Sequence, residues 1–401
     1  MRLADVTDLN ALGTPGLPLR EFLLVGLTAA VVTFLLTGLV RLLALRFGAV
    51  AWPRGRDVHV TPTPRWGGLA MFGGVLGGVA VAAQLPALRL AFDYSSEVRG
   101  ALLAAALMVL VGALDDRYEL DALTKAAGQT TAAGVMALQG VQWSVLWLPW
   151  GGGENSAGSP LVFSQGQAVV ITAVLTVALV NAMNFVDGLD GLAAGVGMIA
   201  AGATCLFAFG LLYKAGNDPN YYTPALITAM LAGACFGFLP HNFNPARIFM
   251  GDSGSMLIGV MMAAATITAS GRINSAKTGD LIGLTAPLTV VAAVVFVPLL
   301  DLLMAVVRRT RAGLSPFSPD KMHLHHRLLE IGHSQRRAVL LIYLWSAVLA
   351  FGGVALAVSE NTTLVLWGIG FGVLLAVLAT AIPRLRPAPR RPPAHAPAST
   401  S

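Results

Sequence analysis

Five polar stretches interrupt an otherwise apolar chain, and each combines residue types that could handle a phosphate or a cation. Gly112-Ala113-Leu114-Asp115-Asp116-Arg117 sets two carboxylates side by side at the end of an apolar run. Adjacent like charges raise each other's pKa and are best tolerated where a cation or ligand uses them, although a solvated helix end reads the same way. Lys125 follows two to three helical turns later, placed for a phosphate. In Asn181-Ala182-Met183-Asn184-Phe185-Val186-Asp187-Gly188-Leu189-Asp190-Gly191, two amides and two carboxylates are packed with two glycines. Glycine lets a backbone approach a ligand closely. Asp187 and Asp190 share a face if helical, and oxygen-only ligands suit a hard cation such as Mg²⁺. An ordinary turn is the plainer alternative.

The third stretch, Asn244-Pro245-Ala246-Arg247-Ile248-Phe249-Met250-Gly251-Asp252-Ser253-Gly254-Ser255, leads into an apolar helix. A helix N-terminus offers free N–H groups to phosphate, and Asp252 could hold a metal bridging it or serve only as an N-cap. The fourth holds His323, His325 and His326 beside Lys321 and Arg327, a cationic or proton-donating patch. Zinc is the rival, but structural zinc usually takes four closed ligands and no cysteine is near. Arg54, Arg56 and Arg65 in the segment from Arg54 to Gly68 could hold a lipid phosphate or merely set membrane orientation.

These stretches need a scaffold, and composition says what kind. Of 401 residues, 56% are hydrophobic and 11% charged, with a mean hydropathy of +0.72. A soluble domain carries about 25% charged residues, so the solvent for most of this chain is lipid. Membrane helices need about 20 mostly apolar residues, which predicts about eleven spans near 22–47, 67–85, 99–114, 122–139, 166–182, 190–213, 223–239, 254–270, 282–307, 338–358 and 363–382. The fold class is therefore an all-α polytopic membrane protein. Three parts are expected: a polar N-terminal segment over 1–20, a membrane catalytic domain over 21–382, and a disordered Pro/Arg-rich tail over 383–401. The first span is too long for a signal-peptide core and reads as a retained anchor.

With the N-terminus outside, 18 of the 26 Lys and Arg residues fall on inside connections, seven on outside ones and Arg41 within the first span. The positive-inside rule favours that orientation, with the C-terminus in the cytoplasm. All the polar stretches then collect on the inner face. A transporter would instead place its polar groups near the bilayer midplane, so transport is the disfavoured alternative. The net charge of +6 belongs to helix ends and does not call for nucleic acid. Cys205 and Cys235 lie in apolar segments and are too few for a cysteine metal site. The outer connection from Val141 to Gln167, with Trp143, Trp147 and Trp150, reads as a surface hairpin or irregular cap. Pro298 before Asp301 predicts a kink that could admit a lipid tail.

Together the motifs resemble the polyprenyl-phosphate N-acetylhexosamine-1-phosphate transferases, over about residues 20 to 380 and in the family's order. Within that family the chain looks like the bacterial undecaprenyl- or decaprenyl-phosphate N-acetylglucosamine-1-phosphate transferases, with Pro53 to His59 of actinobacterial character. The branch that uses UDP-MurNAc-pentapeptide has an unbroken histidine run followed by an acid, whereas here Leu324 interrupts and Arg327 follows. That branch is the alternative. The resemblance implies a bundle of ten or eleven spans, often dimeric, using Mg²⁺ or Mn²⁺. It implies transfer of a phospho-sugar from a UDP-sugar to a polyprenyl phosphate, the first lipid-linked step of a cell-envelope glycan. It further implies Asp252 and Asn184 as metal ligands, Asp115 and Asp116 near the acceptor phosphate, and Lys125 on a donor phosphate. Asp187 and Asp190 would lie around the nucleotide, and Asn181 would bind substrate. His323, His325 and His326 would meet the sugar-phosphate, with Arg65, Arg247 and Arg327 contributing to substrate binding. Transfer in one step or through a covalent aspartyl intermediate are both open at this point.

Overall fold

The computed structural model describes residues 17–53, 62–93, 95–148, 159–270, 333–359 and 361–381, with Val307, Thr310, Arg311 and Gly313 as isolated positions. His323, His325, His326, Arg327, Pro298 and Asp301 lie outside the described residues, as do Arg54 and Arg56, the first sixteen residues and the C-terminal tail.

The described chain is a helical bundle. In order it comprises α1 (Leu19–Phe47), β1 (Val50–Ala51), β2 (Thr63–Pro64), α2 (Gly67–Ala82), α3 (Pro86–Asp93), α4 (Glu97–Tyr118) and α5 (Ala122–Leu138). There follow β3 (Val145–Leu148), β4 (Ser159–Val162), α6 (Gln165–Val186), α7 (Leu192–Lys214) and a 3₁₀ turn (Pro219–Tyr221). Last come α8 (Tyr222–Asn242), α9 (Gly251–Ser270), α10 (Gln335–Val358) and α11 (Thr362–Ala381). Eight of the described helices are long and apolar enough to cross a membrane. A ninth span results if α2 and α3, bent by 107° at their junction, are taken together. The predicted span over 122–139 is a helix of 17 residues, too short to be counted among those eight. The predicted cap after Val141 contains the antiparallel hairpin β3–β4, with Val145 opposite Val162.

α9 is the centre of the bundle. Every residue from Ser253 to Ser270 is buried, and the helix packs on α4, α6, α8, α2 and α7. In lipid there is little hydrophobic drive between helices, so close approach at small residues supplies the packing. Gly233 and Gly237, four apart on α8, meet the backbone of α1 at Gly26 and Ala30. Leu23, Leu27, Leu35 and Leu42 of α1 point outward; in a bilayer that outward face meets acyl chains, not water.

Candidate active site

Everything converges on the N-terminus of α9. Gly251 has φ +72°, a conformation L side chains rarely adopt, and it turns the chain into the helix with Asp252 in the first turn. The free N–H groups there are capped from another helix. Asp116 Oδ1 accepts the Asp252 N–H at 2.9 Å, and Asp116 Oδ2 accepts the Ser253 N–H at 3.3 Å and the Ser253 hydroxyl at 3.0 Å. A remote carboxylate thus does the work of an N-cap and complements the helix dipole. The resemblance puts Asp116 near the acceptor phosphate; in the structure both of its oxygens accept hydrogen bonds from the start of α9.

The turn is also gripped from the other side. Segment 64–68 zips against the strand-like approach to α9: Pro64 O accepts Phe249 N–H at 2.8 Å, while Gly67 and Gly68 donate to Phe249 O and Met250 O at 3.1 Å each. A β-carbon on Gly68 would lie 2.6 Å from Gly254 Cα, and one on Gly112 would lie 2.6 Å from the Asp252 carbonyl carbon. The described end of the Arg54–Gly68 stretch is thus also a backbone clamp on the turn into α9. Trp66 extends it, donating from Nε1 to Ala113 O at 3.0 Å. It also delivers Arg65, which lines a polar cleft of about 370 Å³ with Asp116, Arg117 and Glu119.

Around Asp252 four segments meet. Lys125 Nζ lies 2.8 Å from Asp252 Oδ2 and pairs as well with Asp115 Oδ2. The Asp115 and Asp252 side chains are within hydrogen-bonding distance of each other, and the Asn184 side chain donates to Asp252. Asp115 Oδ1 accepts Leu120 N–H at 2.8 Å, which fixes its rotamer. Lys125 is positioned by α5, whose start is capped by Asp121 accepting the Leu123 and Thr124 N–H groups. The site faces solvent unevenly: the Asp252 side chain is 26% exposed and that of Asp115 only 7%. Asp252 thus presents the accessible carboxylate, with Asp115 behind it.

Asp187 ends α6 as its C-cap. Burial of its carboxyl, and then the negative charges of Asp252, Asp116 and Asp190, push Asp187 up to about 8, against the opposing pull of the Arg65 guanidinium. Asp190 is spent on the neighbouring loop, its Oδ2 accepting Asn244 Nδ2 at 2.9 Å and Ala246 N–H at 3.1 Å. Asn181 faces α5 instead, donating to Gln129 Oε1 at 2.8 Å. Arg247 is exposed at the site's edge. Sequence reading missed Asn242, which joins the two loops: its Oδ1 accepts Gly191 N–H and its Nδ2 donates to Ile248 O, both at 3.0 Å. No pattern marks it, since it reads as one more amide at a helix end.

Among the described residues no group of three or more His, Cys, Asp or Glu side chains is arranged as a ready metal cage. The donor set nonetheless fits Mg²⁺. The Asp252 carboxylate is a hard oxygen donor, the Asn184 side chain beside it carries another in its amide, and Mg²⁺ is typically held by one or two protein carboxylates with waters and substrate phosphates completing its shell. Crowding of Asp115 and Asp252 onto one lysine is the charge pattern that a divalent cation relieves.

The description "Glycosyl transferase family 4" matches residues 98–270, which contain every described site residue except Arg65. The chain is 58% identical over 375 residues to the decaprenyl-phosphate N-acetylglucosaminephosphotransferase of Mycobacterium tuberculosis, covering 92% of this chain and 91% of that protein. It is 56% identical over 378 residues to the protein of the same name from Mycolicibacterium smegmatis, covering 93% and 91%. With the undecaprenyl-phosphate alpha-N-acetylglucosaminyl 1-phosphate transferase of Escherichia coli K12 it shares 30% identity over 320 residues, 78% of each chain.

Proposed function

This chain belongs to the polyprenyl-phosphate N-acetylglucosamine phosphotransferases of glycosyl transferase family 4, and from that premise we propose how its site performs the transfer. The enzyme moves GlcNAc-1-phosphate onto a polyprenyl phosphate in a multi-pass membrane scaffold. The donor in this reading is UDP-GlcNAc, the acceptor is decaprenyl phosphate, and the site opens to the cytoplasm. An acceptor phosphate oxygen attacks the β-phosphorus of the donor, the bond from that phosphorus to the UMP oxygen breaks, and UMP leaves. The product is polyprenyl-pyrophosphoryl-GlcNAc.

The observation that carries this reading is the meeting of Asp115, Lys125, Asn184 and Asp252, from four separate stretches of sequence, within one hydrogen-bonded cluster. The chemical obstacle is the approach of two anions, so catalysis is mainly positioning and charge stabilisation. Asp252 and Asn184 would hold Mg²⁺, which supplies charge neutralisation across the donor pyrophosphate. Lys125, released from Asp115 when the donor arrives, places its ammonium on a donor phosphate. Asp115 then orients the acceptor phosphate, which needs little general-base help because its second pKa is about 6. Arg65 and the partly neutral Asp187 face the nucleotide side. His323, His325, His326 and Arg327 are assigned to the sugar-phosphate by the family resemblance.

The test is purified full-length protein in detergent with Mg²⁺, decaprenyl phosphate and either UDP-GlcNAc or UDP-MurNAc-pentapeptide, scored by UMP release. Turnover with UDP-GlcNAc and little with the pentapeptide is expected. A higher kcat/KM for the pentapeptide would reject the donor assignment.

A further inference from the structure

The two loops on the nucleotide side are not held by the catalytic helices alone. They are pinned by α10, a helix to which no site motif belongs. Asn244 is the hub. One hydrogen of its Nδ2 goes to Asp190 Oδ2 at 2.9 Å, the other to Gln335 Oε1 at 2.8 Å. Its backbone carbonyl oxygen accepts from Arg336 Nε at 3.0 Å. Both donors of the amide are therefore used, and Asp190 is tied to the first turn of α10 through a single side chain.

A second tether lies two turns further along the helix. The Tyr343 hydroxyl donates to Gly191 O, while Asn242 Oδ1 accepts the N–H of the same residue at 3.0 Å. Gly191 has φ +80°, and its backbone is thus held from α10 on one side and from α8 on the other. The Tyr343 ring fills the space beside Gly195, where any β-carbon would collide with it. The Asp187–Gly191 segment is consequently fixed at Gly191 by Tyr343 and at the adjacent Asp190 by the Asn244–Gln335 relay.

We infer that Gln335, Arg336 and Tyr343 are positioning residues for the donor nucleotide, setting the spacing between the Asp187–Gly191 loop and the Asn244–Arg247 loop. This rests on the reading of Asp187 and its loop as the nucleotide side of the site. None of the three residues touches Asp115, Lys125, Asn184 or Asp252 among the described contacts, so the effect of losing them belongs to donor binding and not to the transfer step or the lipid. A loop fixed by several hydrogen bonds presents its groups without an ordering cost at binding, and loosening it weakens the ligand that needs it.

The experiment uses full-length Gln335→Leu, Tyr343→Phe and Arg336→Ala in detergent with Mg²⁺. It measures KM separately for UDP-GlcNAc and polyprenyl phosphate, kcat, and UMP binding by calorimetry. Arg336 is exposed, so its variant keeps the fold even if a buried change does not. Each variant is expected to raise the UDP-GlcNAc KM and the UMP dissociation constant by about three- to tenfold, the scale of one lost hydrogen bond. The KM for the lipid stays within about twofold on the same scale, and Gln335→Glu, which retains an acceptor for Asn244, restores most of the loss. Equal rises in both KM values, or a fall in kcat alone, would overturn the inference by showing a general loosening. Unchanged donor KM and UMP binding with an active wild type would overturn it alone. Absence of UMP release by the wild-type chain would take down the functional reading beneath it.

Discussion

Asp116 Oδ1 accepts the backbone N–H of Asp252 at 2.9 Å across 136 residues of sequence. The neighbouring Asp115 carboxyl points elsewhere, to Lys125 and to the Asp252 side chain. Consecutive residues on a helix do not face the same way, so the two aspartates divide the work. Asp116→Ala leaves two N–H groups and the Ser253 hydroxyl without their carboxylate, at a cost of roughly 1–3 kcal/mol. A lowered thermal midpoint and lost activity together are expected. Asp115→Asn retains an acceptor for Leu120 N–H and should melt near wild type while turnover falls. Identical melting of Asp116→Ala and wild type would refute the division.

Gly112 makes a second test of the same junction. A β-carbon there would sit 2.6 Å from the Asp252 carbonyl carbon and press on Ser253 as well. The obstacle is backbone inside a buried helix turn, which cannot swing aside like a flexible side chain. Gly112→Ala should therefore displace the first turn of α9, costing about 1–3 kcal/mol as overpacking does, and turnover should drop with it. Wild-type kcat and melting in this variant would show that α4 and α9 can separate freely.

Hydropathy made the spans legible because a bilayer imposes length and apolarity together. α1, α4, α6, α7, α8, α9, α10 and α11 each match a predicted segment. The motifs single out Asp115, Lys125, Asn184 and Asp252 by residue type, and the resemblance alone pairs Asn184 with Asp252; that Lys125 bridges Asp115 and Asp252 is visible only in the fold. Hidden from sequence was which polar groups are already engaged by other parts of the protein. Asp190 and Asp187 look alike on paper, yet Asp190 is tied to Asn244 while Asp187 lies among other carboxylates. Asn242, Tyr343 and Gln335 could not be found by motif, because each acts through a backbone or side-chain partner fixed only by tertiary packing.

Asp187 gives a pH-dependent prediction. Its carboxyl is raised from 3.8 to about 8, chiefly by burial. A carboxyl raised in the folded state contributes stability that is complete below the unfolded pKa, declines as pH rises, and is gone above the folded pKa. The ligand-free protein should lose this contribution between about pH 4 and pH 8. Asp187→Asn, which cannot ionise, should raise the thermal midpoint relative to wild type, more at pH 8 than at pH 5, while weakening UDP-GlcNAc binding. Melting curves of both proteins at the two pH values decide it; a smaller gain at pH 8 would contradict the raised value.

Asp252→Asn removes the anionic member of the proposed Mg²⁺ pair but keeps an oxygen donor and the helix cap supplied by Asp116. The variant should fold, lose essentially all turnover, and bind Mn²⁺ roughly tenfold or more weakly by electron paramagnetic resonance, as loss of a hard anionic ligand demands. Wild-type-like Mn²⁺ affinity would remove Asp252 as a ligand even if activity were lost.

The last prediction concerns the face of the membrane on which the cluster opens. Eighteen of 26 basic residues lie on one side under the orientation with the N-terminus outside, and short basic connections stay in the cytoplasm. Ala122, exposed at the start of α5, marks the site side, and Ser144, exposed before β3, marks the opposite end of that helix. Cys205 and Cys235 are buried, so a membrane-impermeant maleimide should meet little background in the native chain. In intact cells Ser144→Cys should label and Ala122→Cys should not, whereas both should label in opened membranes. Labelling of Ala122→Cys from outside, with Ser144→Cys protected, would invert the topology and place the phosphate chemistry on the side that nucleotide sugars do not reach.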